Sequence, residues 1–543
     1  MTFQFNANNT ARQEDFIEED FDLVIPESEE APKLTPTTEQ VAAQEIVKGN
    51  HRVKLNAYAG CSKTTTLVMV ADQLPMNSLY LAYNKAMATE AKEKFPAWVK
   101  VSTTHALAYA VYGRELQHKL KRPTGAYKNV CGTGGEIARY FKIKDYALDE
   151  FGLARITAAG IGVAIKETVN AFEYSADEIM TQKHVSGAGI KKLKQSQLSP
   201  EVLLQYSAIV LKNAKLLWEL RKNPNIDVLA THDTYLKLYQ LSKPDLSKYE
   251  VIYLDEGQDT NQCVLDFIMS QTVPKVVVVG DGYQQIYQWR GSVNAMEQLP
   301  FVEGKLSCSF RFGQAVADVA NTVLNTAGGH IGAAIKGWEG CESETHSFYD
   351  MPEEEVAKLG SYTLLYRSNM ALILDAVSLL GKGKKVNLEI DVKDFVKLLE
   401  SAVELRANNM KGVKHEELLP YESWKDFAEE VGGTGGELGR IHKIIDEGDV
   451  YTVLGRLATH RNVDNPDVVM TTAHKSKGRE WDRVVLANDF ASCWNSKGEW
   501  VGLSDAERNL LYVAVTRARK LLVWNSTVQE LMDRVSLGKH KPL

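Results

Sequence analysis

What the chain has little of narrows it first. Its six cysteines stand singly, at Cys61, Cys131, Cys263, Cys308, Cys341 and Cys493. None forms a C-x-x-C pair, and no cysteine–histidine cluster has zinc spacing. That pattern argues against a disulfide framework or a structural zinc site and predicts free thiols in a reducing compartment. No run of about 18 apolar residues occurs, so no membrane-crossing helix is expected. The opening stretch MTFQFNANNTARQEDF has neither a basic start nor an apolar centre, so it does not read as a secretory signal. A cytoplasmic protein is expected. A basic excess is also missing, since the net charge is −7. Residues 1–33 hold nine acids against two bases and account for all of that charge. The rest balances to zero, and an acidic average does not argue against nucleic acid, because binding grooves are local.

What is present is a chain of 543 residues, long enough for about three or four domains. Residues 1–33 read as a disordered acidic arm punctuated by Phe16, Ile17, Phe21, Leu23, Val24 and Ile25. Such an arm serves either as a solvated tail or as a protein-binding segment. Structure is expected to start at LTPTTEQVAAQEIVKGN, where Thr37 and Gln40 have capping-box spacing and Gly49 suits a helix exit. HRVKLNAYAG alternates Val53, Leu55 and Ala57 as a strand entering a glycine turn. NSLYLAYNK and KVSTTH read as strands, with the helical AMATEAKEKF between them. VIYLDE and KVVVVGD are near-continuous apolar runs, as buried parallel strands are. A second α/β pattern starts near 306 with TLLYRSN, VVMTTAHKSKG and RVVLAND.

Two stretches interrupt these patterns. Residues about 107–230 are rich in helix signals and carry the basic runs HKLKRP and KHVSGAGIKKLK, which suit a solvated face or a DNA-facing one equally. Residues about 385–462 are charged and glycine-rich. CGTGGEIAR (131–139) and GGTGGELGR (432–440) echo dinucleotide fingerprints, but neither follows a convincing strand. Both are read as loops entering helices.

The chemistry begins at NAYAGCSKTTTL (56–67). A strand, a tight turn and Lys-Thr opening a helix form the arrangement that cradles a triphosphate. Backbone N–H groups of Ala59, Gly60, Cys61, Ser62 and Thr65 face the phosphates, Lys63 reaches the terminal ones, and the Thr64 hydroxyl binds Mg²⁺. VIYLDEGQD then places Asp255 and Glu256 at the end of an apolar strand. Asp255 is expected to hold Mg²⁺ through water, and Glu256 to orient and deprotonate the attacking water. In KVVVVGDGYQQIYQWRG, Gln284 is placed to sense a γ-phosphate. Tyr287, Trp289 and Arg290 are placed to stack on bases, at ~1–3 kcal/mol per base.

In order, AYAGCSKT, LDEGQD, VVGDGYQQIYQWRG, LSCSFRFG, TTAHKSKGREWD and LLYVAVTRAR resemble the superfamily 1 DNA helicases of the UvrD/Rep type. NAYAGCSKTTTL, LYLAYNKAMATEA, STTHALAY and HDTYLKLYQLSKP bring the likeness closest to the F-box DNA helicase branch. It covers roughly residues 34–530. In that family the loop reads A-x-A-G-x-G-K-T, so Ala57 and Gly60 fit and Ser62 alone departs. Serine there costs little at negative φ and about 1–2 kcal/mol at positive φ.

The resemblance implies an α/β fold with two RecA-like P-loop NTPase motor domains on parallel sheets, at 34–300 and 301–530. A helical 1B insertion (about 107–230) and a small 2B insertion (about 385–462) are expected, with a basic tail at 531–543. It implies ATP and Mg²⁺ as cofactors. Gln40 would read adenine, Phe310 would stack on it, and Glu480 would contact the ribose. Arg311 and Arg517 would be arginine fingers, and Thr472, His474, Lys477 and Gly478 belong to one coupling motif. Single-stranded DNA would cross Tyr83, Asn84, Lys85, Thr104, His105, Tyr287, Trp289, Arg290, Arg367, Thr472 and His474. For Tyr83 and His105 a core-facing role, and for Trp481 simple packing, are the competing readings. The implied activity is DNA-dependent ATP hydrolysis that drives 3′→5′ travel and unwinding in replication, recombination or repair. The expected partners are single strands and single-strand/duplex junctions, with the acidic arm as a site for a protein partner. The chain is expected to be monomeric and to touch no membrane. Two alternatives use the same residues: a translocase that strips proteins from single strands, and a non-hydrolysing DNA-binding scaffold in which Ser62 marks decay. With 24 residues after Arg519, a nuclease–helicase fusion is not expected.

Overall fold

A computed structural model describes residues 35–121, 130–147, 155–186, 200–287, 291–326, 334–419, 421, 423–431 and 437–538. Among the described residues the strands are, in chain order, β1 Arg52–Ala57, β2 Ser78–Ala82, β3 Val99–Thr103, β4 Tyr146–Ala147, β5 Arg155–Ile156, β6 Val251–Leu254, β7 Lys275–Gly280 and β8 Val302–Leu306. They continue with β9 Cys308–Ser309, β10 Lys336–Gly337, β11 Glu344–Ser347, β12 Tyr362–Tyr366, β13 Val386–Leu388, β14 Val468–Thr472, β15 Trp481–Leu486 and β16 Ala518–Trp524.

Two six-stranded sheets organise the chain. The first runs β3-β2-β6-β7-β1-β8 and the second β11-β16-β15-β12-β14-β13. Every pairing in both is parallel. This is the architecture of two RecA-like motor domains. Parallel strands are covered by helices on both faces, which is why β2 and β6 are buried along their whole length and read as unbroken apolar runs. Because the strands are parallel, all their C-terminal ends open on one edge. In the first sheet that edge presents the loop after β1, Tyr83 after β2, Thr104 after β3, Asp255 after β6 and Asp281 after β7.

The helices at this edge are capped by their own sequences. The Asn84 side chain accepts the Met87 N–H at the start of helix Lys85–Lys94. Thr103 caps Thr104–Ala108 by accepting the Ala106 N–H. Each such cap satisfies an otherwise orphaned donor and contributes about 1 kcal/mol.

The two interrupting stretches pack differently. Between β3 and β6, helices Gly134–Tyr140, Ala158–Tyr174 and Pro200–Lys222 enclose a core of their own around Ile161, Ile165, Phe172, Tyr206 and Trp218. CGTGGEIAR is a loop into a helix, as expected: Thr133 and Glu136 form a capping box. In GGTGGELGR, residues 432–436 lie outside the described residues, and a helix spans Glu437–Glu447.

The stretch from about 385 opens with β13, which pairs with β14 in the second sheet. Its helices, Val392–Arg406 to Val450–Thr459, share one core with the sheet, through Leu399, Ile441 and Val453 against Leu364 and Val468.

In HKLKRP, Lys119 faces neither solvent nor DNA. It is buried, and its ammonium donates to the carbonyls of Leu220, Arg221 and Asn223 at 2.8, 2.8 and 2.6 Å, at the end of helix Pro200–Lys222. A cation there complements the carbonyl end of the helix.

Candidate nucleotide and nucleic-acid sites

The loop after β1 turns through two left-handed residues, Gly60 at φ +76° and Ser62 at φ 52°, before helix Lys63–Gln73 begins. Gly60 is required by space as well as by φ: a Cβ would lie 2.3 Å from Ser309 Oγ and 2.8 Å from Arg311 Cβ. Its carbonyl accepts the Phe310 N–H at 2.9 Å. Ser62 therefore occupies the costly branch of the two left open by the sequence, and its Cβ carries about 1–2 kcal/mol of strain. Cys61 beside it is buried, and burial pushes its thiol well above the ordinary range. That favours a plain loop residue over a reactive one.

The Lys63 ammonium lies 3.4 Å from Glu256 Oε1. Burial works against its charge, but Glu256, Asp281 and Asp255 outweigh burial and raise its pKa. Asp255 and Glu256 are pushed apart. Burial and the Glu256 charge raise Asp255. Glu256 stays low despite burial, because Lys63 and Lys477 hold it ionised. An ionised carboxylate beside a lysine can orient and accept a proton from water.

The Thr64 hydroxyl is 3.5 Å from Asp255 Oδ2. A hydroxyl and a carboxylate are the hard oxygen donors that suit Mg²⁺. Gln40 is buried and donates to Thr66 Oγ1 at 3.2 Å, one turn into the same helix. Gln284 donates to Asp281 Oδ2 at 2.7 Å.

Groups from the second sheet reach this loop. Arg311 donates to Glu480 at 2.6 Å and to the Thr516 carbonyl at 3.1 Å. Arg517 is buried, bonded to the carbonyls of Val513 and Arg479 and to the Thr516 hydroxyl. Burial and the neighbouring Arg311 push its pKa down to about 9. Lys477 pairs with the buried Asp259, donates to the Gln284 carbonyl at 2.6 Å, and lies 5.3 Å from the Tyr287 ring centroid. Phe310 packs at 5.6 Å against Trp338, an aromatic the sequence reading passed over.

Sequence reasoning also missed Tyr512. Its hydroxyl accepts the Ala59 N–H at 3.0 Å and donates to Asp281 Oδ2 at 3.0 Å, linking the loop after β1 and the turn after β7 to helix Asp505–Val515. Tyr80 was missed too. It read only as strand filler, yet its hydroxyl donates to Asp255 Oδ2.

Four of the expected DNA residues, Tyr83, Thr104, His105 and Tyr287, line one cavity of about 1180 Å³. Asp255 and Asp259 line it as well, and Glu167, Asn170, Tyr174 and Lys183 come from the helical insertion. Tyr83 and Tyr287 lie nearly parallel, with centroids 6.5 Å apart. His105 lies 3.4 Å from Asp233, and Tyr287 donates to the His474 carbonyl at 3.2 Å. Tyr83 is exposed rather than core-facing. Lys85 is exposed at its helix start, and Asn84 serves as the cap described above.

Arg367 stands apart from that cavity, paired with both oxygens of Glu507 at 2.8–3.1 Å. His474 is pushed down to about 4 by burial and by Arg367, so its ring is neutral at neutral pH. Thr472 is buried at the end of β14. Trp289 and Arg290 lie outside the described residues.

Comparison with known proteins matches residues 37–298 to the UvrD/REP helicase N-terminal domain and 345–529 to the UvrD-like helicase C-terminal domain. F-box DNA helicase protein 1 of Schizosaccharomyces pombe is 31% identical over 520 residues, covering 88% of this chain and 56% of that protein. F-box DNA helicase 1 of Gallus gallus is 29% identical over 546 residues, covering 92% of this chain and 50% of that protein. ATP-dependent DNA helicase PcrA of Leuconostoc citreum is 23% identical over 314 residues, covering 53% of this chain and 38% of that protein. The chain spans about half the length of the two F-box relatives.

Proposed function

We propose that this chain, which belongs to the UvrD-like helicase family, is an ATP-driven motor that moves on single-stranded DNA and unwinds duplex. The observation that carries the reading is the junction between the sheets. Arg311, Lys477 and Tyr512 of the second sheet's side meet Gly60, Asp259 and Asp281 of the first. A nucleotide bound at such a junction is felt by both motors at once.

In this reading the triphosphate sits on the backbone N–H groups of the Ala59–Thr65 loop, with Lys63 on its terminal phosphates. Thr64 and Asp255 would hold Mg²⁺, which when bound supplies neutralising charge to the phosphate oxygens. Glu256, ionised beside Lys63, takes the proton of the attacking water. Gln284 exchanges Asp281 for the γ-phosphate. Arg311 and Arg517 meet the charge that grows on the γ-phosphoryl oxygens. Gln40 and Phe310 hold the base, and Glu480 the ribose.

Single-stranded DNA stacks along Tyr83, Tyr287 and Trp289, with Lys85, Thr104, His105, Arg290, Arg367, Thr472 and His474 beside it. Lys477 shares Gln284 and Tyr287, so it ties the nucleotide side to the base-stacking side. Travel is 3′→5′, toward single-strand/duplex junctions, in replication, recombination or repair.

The test is ATP hydrolysis with and without single-stranded DNA, on the wild type and on Lys63→Ala. Strong stimulation by DNA, reduced by about 10²–10³-fold in the variant, is expected. No hydrolysis by either protein, with nucleotide and DNA still bound, would overturn the motor in favour of a scaffold, with left-handed Ser62 as the cause.

A further inference from the structure

Tyr80 sits in the middle of β2, where every residue is buried. Its ring packs on Phe95, with centroids 4.6 Å apart. A phenylalanine would fill that space equally well, so the hydroxyl needs its own reason. The hydroxyl donates to Asp255 Oδ2. Thr64 reaches the same Oδ2 at 3.5 Å. The other carboxylate oxygen accepts the Glu256 N–H at 2.8 Å. Asp255 is thus held at both oxygens, and one of its two fixed partners comes from a neighbouring strand.

The arrangement follows from the register. In the first sheet β2 lies beside β6, with Tyr80 opposite Tyr253. Asp255 emerges two residues beyond Tyr253, and its N–H donates to the Leu81 carbonyl of β2. A tyrosine at position 80 is long enough to reach the carboxylate from below, inside the sheet, where water cannot compete. A buried hydroxyl so placed makes a strong charge-assisted bond.

We infer that Tyr80 is a positioning residue for the divalent cation that accompanies ATP, its hydroxyl fixing the Asp255 carboxylate toward Thr64 and so setting the affinity for Mg²⁺. The inference rests on the nucleotide-binding reading above. Loss of a hydrogen-bond partner behind a metal-ligating carboxylate typically lowers metal affinity about 10–100-fold.

The experiment uses the full chain and a fluorescent ADP, with binding followed first in EDTA and then across a Mg²⁺ titration. The variants are Tyr80→Phe and, as a control for losing a buried tyrosine hydroxyl from the same core, Tyr253→Phe. Expected for Tyr80→Phe is wild-type ADP affinity in EDTA, with the half-saturating Mg²⁺ concentration raised at least about tenfold. The expected Tyr253→Phe protein titrates as the wild type does. An unchanged Mg²⁺ midpoint in Tyr80→Phe overturns the inference and leaves the hydroxyl a packing feature. Equal shifts in both variants overturn it in favour of a general loosening of the core. A wild type that binds no ADP in EDTA or in Mg²⁺ removes the nucleotide-site reading itself, a failure visible before either variant is examined, whereas a wild type that binds ADP without any Mg²⁺ response overturns the inference alone.

Discussion

At the scale of single residues, Ser62 is the position where the chain pays for a departure from its family. Its φ of 52° is one a glycine adopts freely and a serine does not. Replacing it by glycine relieves about 1–2 kcal/mol of strain and gives back about 0.5–1 kcal/mol through the freer unfolded chain. Ser62→Gly is therefore expected to raise unfolding stability by up to about 1.5 kcal/mol. Turnover is expected to rise with it, because the loop no longer resists the conformation that cradles phosphate. Denaturant midpoints and ATP hydrolysis rates read the two effects. A less stable Ser62→Gly protein would show that the serine side chain contributes something the strain argument omits. The same scale explains why Arg367 is not a free DNA ligand in this state: Glu507 holds its guanidinium by two oxygens, and a phosphate must displace that carboxylate.

At the scale of elements, helix Asp505–Val515 is the bridge between the two sheets, and Tyr512 is its hydrogen-bonded contact with the loop after β1. Tyr512→Phe removes both hydrogen bonds and little volume. The expected result is a loss of DNA stimulation of up to about tenfold, the worth of one to two buried hydrogen bonds, with basal hydrolysis less affected. Equal loss of basal and stimulated rates would mean that the hydroxyl serves the loop alone.

Tyr512 also marks the boundary of what the sequence makes legible. β1, β2, β6, β7, β12, β14 and β15 were readable because burial on both faces of a parallel sheet leaves unbroken or alternating apolar runs. Lys63, Asp255 and Glu256 were readable because a local pattern points to all three: Asp255 and Glu256 directly follow β6, and Lys63 opens the helix after the loop that leaves β1. The partners of those residues were not. Tyr512 lies 453 positions from Ala59, and Tyr80 lies 175 from Asp255. Only strand order and register bring them together, and no local pattern encodes that. The merging of the 392–459 helices with the second sheet's core was hidden for the same reason. An amphipathic helix shows that it has an apolar face, but not which surface covers it.

At the scale of the whole molecule, charge and core are separated along the chain. The net charge of −7 lies within residues 1–33. Among the described residues, the five hydrophobic cores draw on residues from Ala43 to Leu531. The residues of the loop after β1, the acid pair and the cavity lining named above all lie beyond the arm in sequence, and residues 1–33 lie outside the described residues. An acidic segment lowers the local concentration of DNA by repulsion over about a Debye length, roughly 8–10 Å at physiological salt. Removing residues 1–33 is therefore expected to leave DNA-stimulated ATP hydrolysis and short-duplex unwinding intact, with affinity for single strands unchanged or slightly raised at low salt. A difference that fades as salt rises would identify the arm's effect as electrostatic. Loss of both hydrolysis and unwinding in the shortened chain would place the arm inside the motor rather than beside it, and would remove recruitment of a partner as its role.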